Sequence, residues 1–114
     1  MTMPPLVIQT ETIPRKCSDW LAERVELHIF PSDSLQFKEL LPRAHGLVIR
    51  TYTTVDEAMI QAADNLKVVG RAGVGIDNID IQSCKQNNIQ VVHTPYKITT
   101  SSILCQIVQL RWYL

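Results

Sequence analysis

The chain carries no excess charge of either sign: 11 Lys and Arg stand against 11 Asp and Glu in 114 residues. That balance, with a pI near 6.8, argues against a nucleic-acid-binding arm or a surface for anionic membranes. Long apolar runs are missing as well, which leaves no membrane span and no signal peptide. Cysteine is scarce. Cys17, Cys84 and Cys105 are odd in number and widely spaced, with no CxxC pair and no paired histidine. A disulfide framework and a zinc site are both poor readings; reduced thiols in a cytoplasmic protein are the expectation. Repeats and low-complexity tracts are absent too.

What is present is enough apolar material for one small domain, 46% of residues. Short branched runs alternate with helical patterns. Leu6-Val7-Ile8-Gln9-Thr10 reads as a buried strand bounded by Pro5 and Pro14. Lys16 to Arg24 has a helix pattern around Trp20 and Leu21, and residues 25–30 alternate apolar and polar up to Pro31. Ser32, Asp33 and Ser34 offer N-caps to a helix through Leu35, Phe37, Leu40 and Leu41 that Pro42 ends. Residues 46–50 form a third strand, and Thr53 and Thr54 are the expected caps of a helix from Val55 to Ala63. Residues 66–70 and 89–94 are a fourth and a fifth strand, with a short helix from Ile79 to Gln86 between them. Five strands with intervening helices predict a parallel sheet covered on both faces. Right-handed crossovers make it an α/β, flavodoxin-like, doubly wound five-stranded layer.

The tail differs in chemistry. From Ile81 to Leu114 no acidic residue occurs. Residues 99–102 can cap a last helix with Ile103, Ile107, Leu110 and Leu114 on one face, widened by Leu104 and Val108. Such a helix either folds back on the sheet or expects a partner.

The stretch Gly70-Arg71-Ala72-Gly73-Val74-Gly75-Ile76-Asp77-Asn78-Ile79-Asp80 follows the fourth strand, where open α/β sheets bind ligands. Glycines there permit positive φ and let backbone N–H groups approach an anion. Asn78 stands where a dinucleotide fingerprint needs its third glycine, and no acidic ribose partner follows. The stretch therefore reads as an anion-accepting turn. Arg50 ends the third strand and could reach the same edge as Gly73-Val74-Gly75, offering a bidentate cation; the bland alternative is an ion pair with Asp77 or Asp56. Asp80 or Asn78 is the expected cap of the next helix. His28, His45 and His93 are dispersed, and His93 reads as a core histidine. Cys17 at a helix start is expected to have a lowered pKa, yet nothing nearby completes a thiol enzyme. No nucleophile–base arrangement or metal-ligand set is visible.

At these residues the chain resembles a known family. Residues 66–80, continuing through residues 89–95, are similar to the D-isomer-specific 2-hydroxyacid dehydrogenases, nearest to their phosphoglycerate dehydrogenase-like branch. Gly46-Leu47-Val48-Ile49-Arg50-Thr51 looks like the same family's third strand. The resemblance implies an oxidoreductase that interconverts 2-keto acids and D-2-hydroxy acids with NAD or NADP. Its flavodoxin-like substrate domain is interrupted by an inserted coenzyme domain. By the same resemblance, backbone amides around Gly73, Val74 and Gly75 hold the substrate carboxylate. Val74 borders the nicotinamide, and Arg50 faces the substrate's distal group. Tyr52 replaces the further basic residue of some phosphate-accepting members, which puts a phosphorylated substrate in doubt.

The departures begin after Pro95. Ile98 and Leu104 stand where the family has an asparagine and, nearby, a glutamate opening a helix towards the coenzyme domain. The family's coenzyme fingerprint, catalytic arginine, glutamate and acid–base histidine have no counterpart here, so no catalytic residue is assigned within these residues. The expected layout is a substrate domain over residues 1–95, incomplete, and a divergent tail helix over residues 96–114. Alone, such a chain is expected to be inactive. The alternatives are a stand-alone small-carboxylate-binding module and a homodimer formed through the C-terminal helix.

Overall fold

The computed structural model describes residues 3–94 and 98–114. Five short strands carry the fold: β1 (Leu6–Gln9), β2 (Glu26–Ile29), β3 (Gly46–Ile49), β4 (Val68–Arg71) and β5 (Gln90–His93). The helices between them are α1 (Arg15–Ala22), α2 (Leu35–Leu40), α3 (Glu57–Ala62) and α4 (Ile81–Gln86), with a 3-10 turn at Leu41–Arg43. The chain closes with α5 (Thr100–Trp112). All strand pairs are parallel, in the order β2-β1-β3-β4-β5. That is the doubly wound, flavodoxin-like layer that the alternation predicts.

Strand alternation divides the core in two. Leu6, Ile8, Leu47, Ile49 and Val69 point towards α2, α3 and α4, where they meet Phe37, Ile60 and Cys84. Val7, Val48, Val68 and Val92 point the other way, against Cys17 and Leu21 of α1 and Ile103, Ile107 and Leu110 of α5. The tail helix thus folds back on the sheet, beside α1. Its outward side keeps Trp112 exposed, with Val108 and Tyr113 partly so. The expected boundary between residues 95 and 96 lies outside the described residues.

Several local expectations are corrected. Thr53 and Thr54 do not cap α3; Asp56 does, its Oδ1 accepting from the Met59 N–H at 2.9 Å. Thr53 is engaged by Glu11 and Thr10 instead, and Val55 forms a parallel bridge with Ile79, so the chain stays extended until Asp56. The same bridge delays α4 to Ile81, where Asp80 accepts from the Ser83 N–H at 3.0 Å. His93 is half-buried at the sheet edge, not enclosed, because β5 has a neighbour on one side only. Burial pushes the Cys17 thiol up, with Lys16 opposing weakly, the reverse of the helix-start expectation. Its sulfur faces the Thr100 carbonyl at 3.7 Å under α5, away from solvent. Burial, helped by Asp80, likewise pushes Cys84 up to about 11. Neither thiol is a nucleophile at neutral pH.

The α5 interface contains one costly feature. Gln106 is buried over Gly70, and neither its Nε2 nor its Oε1 has a hydrogen-bond partner among the described residues. An unpaired buried amide destabilises a fold by about 1–3 kcal/mol. Gln106→Leu is therefore expected to raise stability by about that amount, read as a higher urea midpoint at unchanged slope. A lower midpoint would show that the amide has a partner.

Candidate functional site

The carboxyl ends of β1, β3 and β4 converge on one edge of the sheet, and β1 and β3 flank the point where the strand order reverses. Glu11 follows β1 and organises the loop after β3. Its carboxylate accepts from the N–H groups of Arg50 (2.7 Å), Tyr52 (2.9 Å) and Thr53 (3.2 Å), and from Thr53 Oγ1 (2.9 Å). Burial alone would push this carboxyl up, but the hydrogen bonds outweigh it and the net shift is downward. A carboxyl with a depressed folded-state pKa adds stability that is present above its unfolded value. That stability is lost as pH falls through the folded value. Glu11→Gln should therefore show a shallower drop in melting temperature below about pH 4.5 than the parent chain. Parallel curves for the two would remove Glu11 from the acid transition.

Arg50 comes next, directly after β3. Its Nη1 donates to the Thr12 carbonyl at 3.2 Å, and with Glu11, Thr51 and Tyr52 these residues line an open cleft of about 480 Å³. Neither Asp56 nor Asp77 forms an ion pair with it among the described residues. The backbone of Arg50 is what ties it to the next loop: its carbonyl accepts from Asn78 Nδ2 at 2.7 Å and from Arg71 Nε at 3.4 Å. Asn78 Nδ2 also reaches the Thr53 carbonyl at 2.7 Å, so this side chain is a strut between the two loops.

The turn after β4 is built around Arg71, a residue that the sequence reading passed over. Arg71 is only 8% exposed, and its Nη1 donates to the Gly75 carbonyl. Among the described residues no carboxylate pairs with it. Gly75 leaves room for this side chain: a Cβ there would stand 2.8 Å from Arg71 Nη1 and 3.0 Å from Asp77 Oδ1, whereas one on Gly73 would be in ordinary contact at 3.6 Å. None of the glycines has positive φ, so at Gly75 room, not backbone conformation, is the reason for the glycine. The Gly73 N–H donates to the Arg71 carbonyl at 2.9 Å, and the Gly73 carbonyl accepts from the Thr94 N–H at 3.0 Å. Those two bonds pin the base of the turn. The N–H groups of the exposed Val74 and Gly75 donate to no group among the described residues. Two open amides in the same turn as a buried guanidinium that forms no ion pair among the described residues are donor chemistry suited to an anion, with Asp77 Oδ1 also close to Gly75. One signal in the sequence did mark Arg71: a cation closing an otherwise apolar central strand.

Two of the three histidines lie away from this turn, while His93 is the register neighbour of Arg71 across β4 and β5. His28 pairs with Glu26 at 2.7 Å on β2, and His45 Nδ1 accepts from the Leu6 N–H at 3.0 Å at the opposite end of the strands. His93 lines a separate cleft beside α4. Among the described residues no three metal-ligating side chains stand together, and no helix is long and apolar enough to cross a membrane.

A parallel sheet in the order β2-β1-β3-β4-β5, with its loops gathered at the carboxyl edge, defines a flavodoxin-like α/β domain. Residues 7–102 match the family described as D-isomer specific 2-hydroxyacid dehydrogenase, catalytic domain, and the chain belongs to that family. It is 38% identical over 99 residues to a D-3-phosphoglycerate dehydrogenase of Archaeoglobus fulgidus, covering 84% of this chain and 19% of the relative. It is 36% identical over 88 residues to a hydroxypyruvate reductase of Thermotoga maritima, covering 75% and 28%. Among solved structures, NAD+-bound 3-phosphoglycerate dehydrogenase of Entamoeba histolytica superposes with a TM-score of 0.66 at 27% identity, covering 82% of this chain and 33% of that one. The chain thus spans a third or less of the length of these relatives.

Proposed function

We propose that this chain is the substrate-binding domain of an oxidoreductase that interconverts 2-keto acids and D-2-hydroxy acids with NAD or NADP. The observation that carries the reading is the pair of open amides at Val74 and Gly75 above the unpaired Arg71 guanidinium. A 2-keto acid's carboxylate accepts from both amides, with the buried cation behind them stabilising its charge. The substrate's distal group lies towards Arg50 in the neighbouring cleft. Glu11 fixes that cleft's floor by holding the Arg50–Thr53 backbone, and the exposed Tyr52 also lines it.

The residues present fit one edge of a nicotinamide and no more. Val74 is 46% exposed at the tip of the turn, an apolar wall for a flat ring, while nothing among the described residues recognises a pyrophosphate. When bound, the nicotinamide supplies or accepts the hydride at the keto carbon. This chain's part is to bind and orient the acid through the turn; His28 and His45 are engaged elsewhere, and His93, the β5 neighbour of Arg71, lines the cleft beside α4. We therefore expect no oxidation of NADH by the chain alone with glyoxylate, pyruvate or hydroxypyruvate. The same 2-keto acids should bind in calorimetry, about tenfold more weakly to Arg50→Ala. Absence of binding to the parent chain would overturn the reading.

A second reading, a homodimer through α5, rests on its outward aromatic end. Trp112 is 83% exposed and continues into a shallow groove with Trp20, Arg24 and Arg111. It predicts concentration-dependent sedimentation; a monomer at every concentration would refute it. A cytoplasmic setting suits three cysteines that all remain free thiols.

A further inference from the structure

We propose that the cleft between α4 and β5 is a second ligand site, for a small monocarboxylate with a branched or aromatic body. This cleft holds about 370 Å³ and is separate from the one lined by Arg50. That volume falls at the lower end of the range for small-molecule sites. Its apolar side is Ile76, Ile81 and Val91; its polar side is Lys85, Asn88 and His93.

Three features select an anion. No acidic side chain lines the cleft, and the chain has none from Ile81 to its end. Asp80, at the far end of α4, is engaged in capping that helix through Ser83. Lys85 makes no ion pair among the described residues, so its charge is unmatched. Finally, β5 is an edge strand. The Gln90 N–H donates to the Lys67 carbonyl and the Thr94 N–H to the Gly73 carbonyl, both towards the sheet interior. By strand alternation the Val91 and His93 N–H groups face the open edge, and both residues line the cleft.

The polar wall is held in place. Ile89 N–H donates to the Cys84 carbonyl at 2.8 Å and Asn88 N–H to the Lys85 carbonyl at 3.2 Å, with Asn88 at φ 58. This left-handed helix stop fixes where Lys85 and Asn88 sit. On the other wall, Ile76 directly follows Gly75, whose carbonyl receives Arg71. A ligand packed on Ile76 therefore bears on the substrate turn through one peptide unit, a direct route for coupling the two sites.

The test uses benzoate and 4-methylpentanoate, which lack a keto group, titrated into the full 114-residue chain and followed by amide NMR. Saturable shifts centred on Ile76, Lys85, Val91 and His93 are expected. Lys85→Met should weaken binding about tenfold, and Ile76→Asp, at a half-exposed position, should abolish it. Arg50→Ala should leave it unchanged. Benzamide binding as tightly as benzoate would overturn the anion assignment. Loss of binding in Arg50→Ala would place the probe in the substrate cleft, and no saturable shift, or unaltered binding to Lys85→Met, would remove the site. Failure here leaves the substrate reading untouched, since that is read from 2-keto acids and from Arg50.

Discussion

A chain cut after residue 97 is expected to lose its cooperative thermal transition and to bind hydrophobic dyes. The reason lies in how the sheet is covered. On the face carrying Val7, Val48, Val68 and Val92, α1 supplies Cys17 and Leu21, while α5 supplies Ile103, Ile107 and Leu110. Each of these three α5 side chains is almost wholly buried. At about 2 kcal/mol apiece they contribute about 6 kcal/mol, comparable with the whole net stability of a small domain. Their removal also uncovers the strand residues beneath them. Gly70 shows how closely the helix sits: a Cβ there would overlap Gln106 Nε2 and come within 2.5 Å of Leu110 Cδ1. Two milder variants grade the effect. Leu110→Ala should cost about 3 kcal/mol by leaving a cavity, and Gly70→Val about 2–3 kcal/mol by pushing α5 off β4. A cut chain with an undiminished transition would mean that the helix merely rests on the sheet, leaving its apolar face for a partner.

How much of this was legible follows from the range of the forces involved. Runs such as Leu47-Val48-Ile49 are too short for helices and apolar on both faces, so a buried parallel strand is nearly forced, and the sheet follows. Caps are local chemistry, and Ser34, Asp80 and Thr99 cap where side chain and spacing allow. The α3 cap was misread because Thr53 is captured by Glu11, 42 residues away, and no local pattern records that. Cys17 was misread for a similar reason: its place at a helix start is local, but the α5 that buries it comes from the far end of the chain. The glycine-rich turn stood out at once, whereas its physical basis did not. Glycine at residue 75 has a steric reason that local pattern does not record: it leaves room for the side chain of Arg71, four residues earlier. Fold and turn are written in periodicity; the roles of Glu11, Arg71 and Asn78 exist only once three strand ends meet.

Arg71→Met is expected to weaken 2-keto acid binding by about 100-fold while leaving the melting temperature level or higher. The two readouts separate a site residue from a structural one. A guanidinium this deeply buried, with no ion pair among the described residues, is itself destabilising, because its desolvation is repaid mainly by the carbonyls of Arg50 and Gly75. Methionine relieves that penalty, fills much of the space, and leaves the Arg50 carbonyl still bonded to Asn78. Stability should therefore survive. Binding should not, for two reasons. The open amides of Val74 and Gly75 lose the positive charge beside them, and the Gly75–Ile76 peptide, next in the turn, loses the bond that Arg71 makes to its carbonyl. Arg71→Lys restores the charge without the fork, so it should recover about tenfold and no more, which isolates the bidentate geometry as the remainder. Binding and stability falling together in Arg71→Met would make the residue a strut for the turn alone. Unchanged binding would take the anion off this turn and leave the amides without a role.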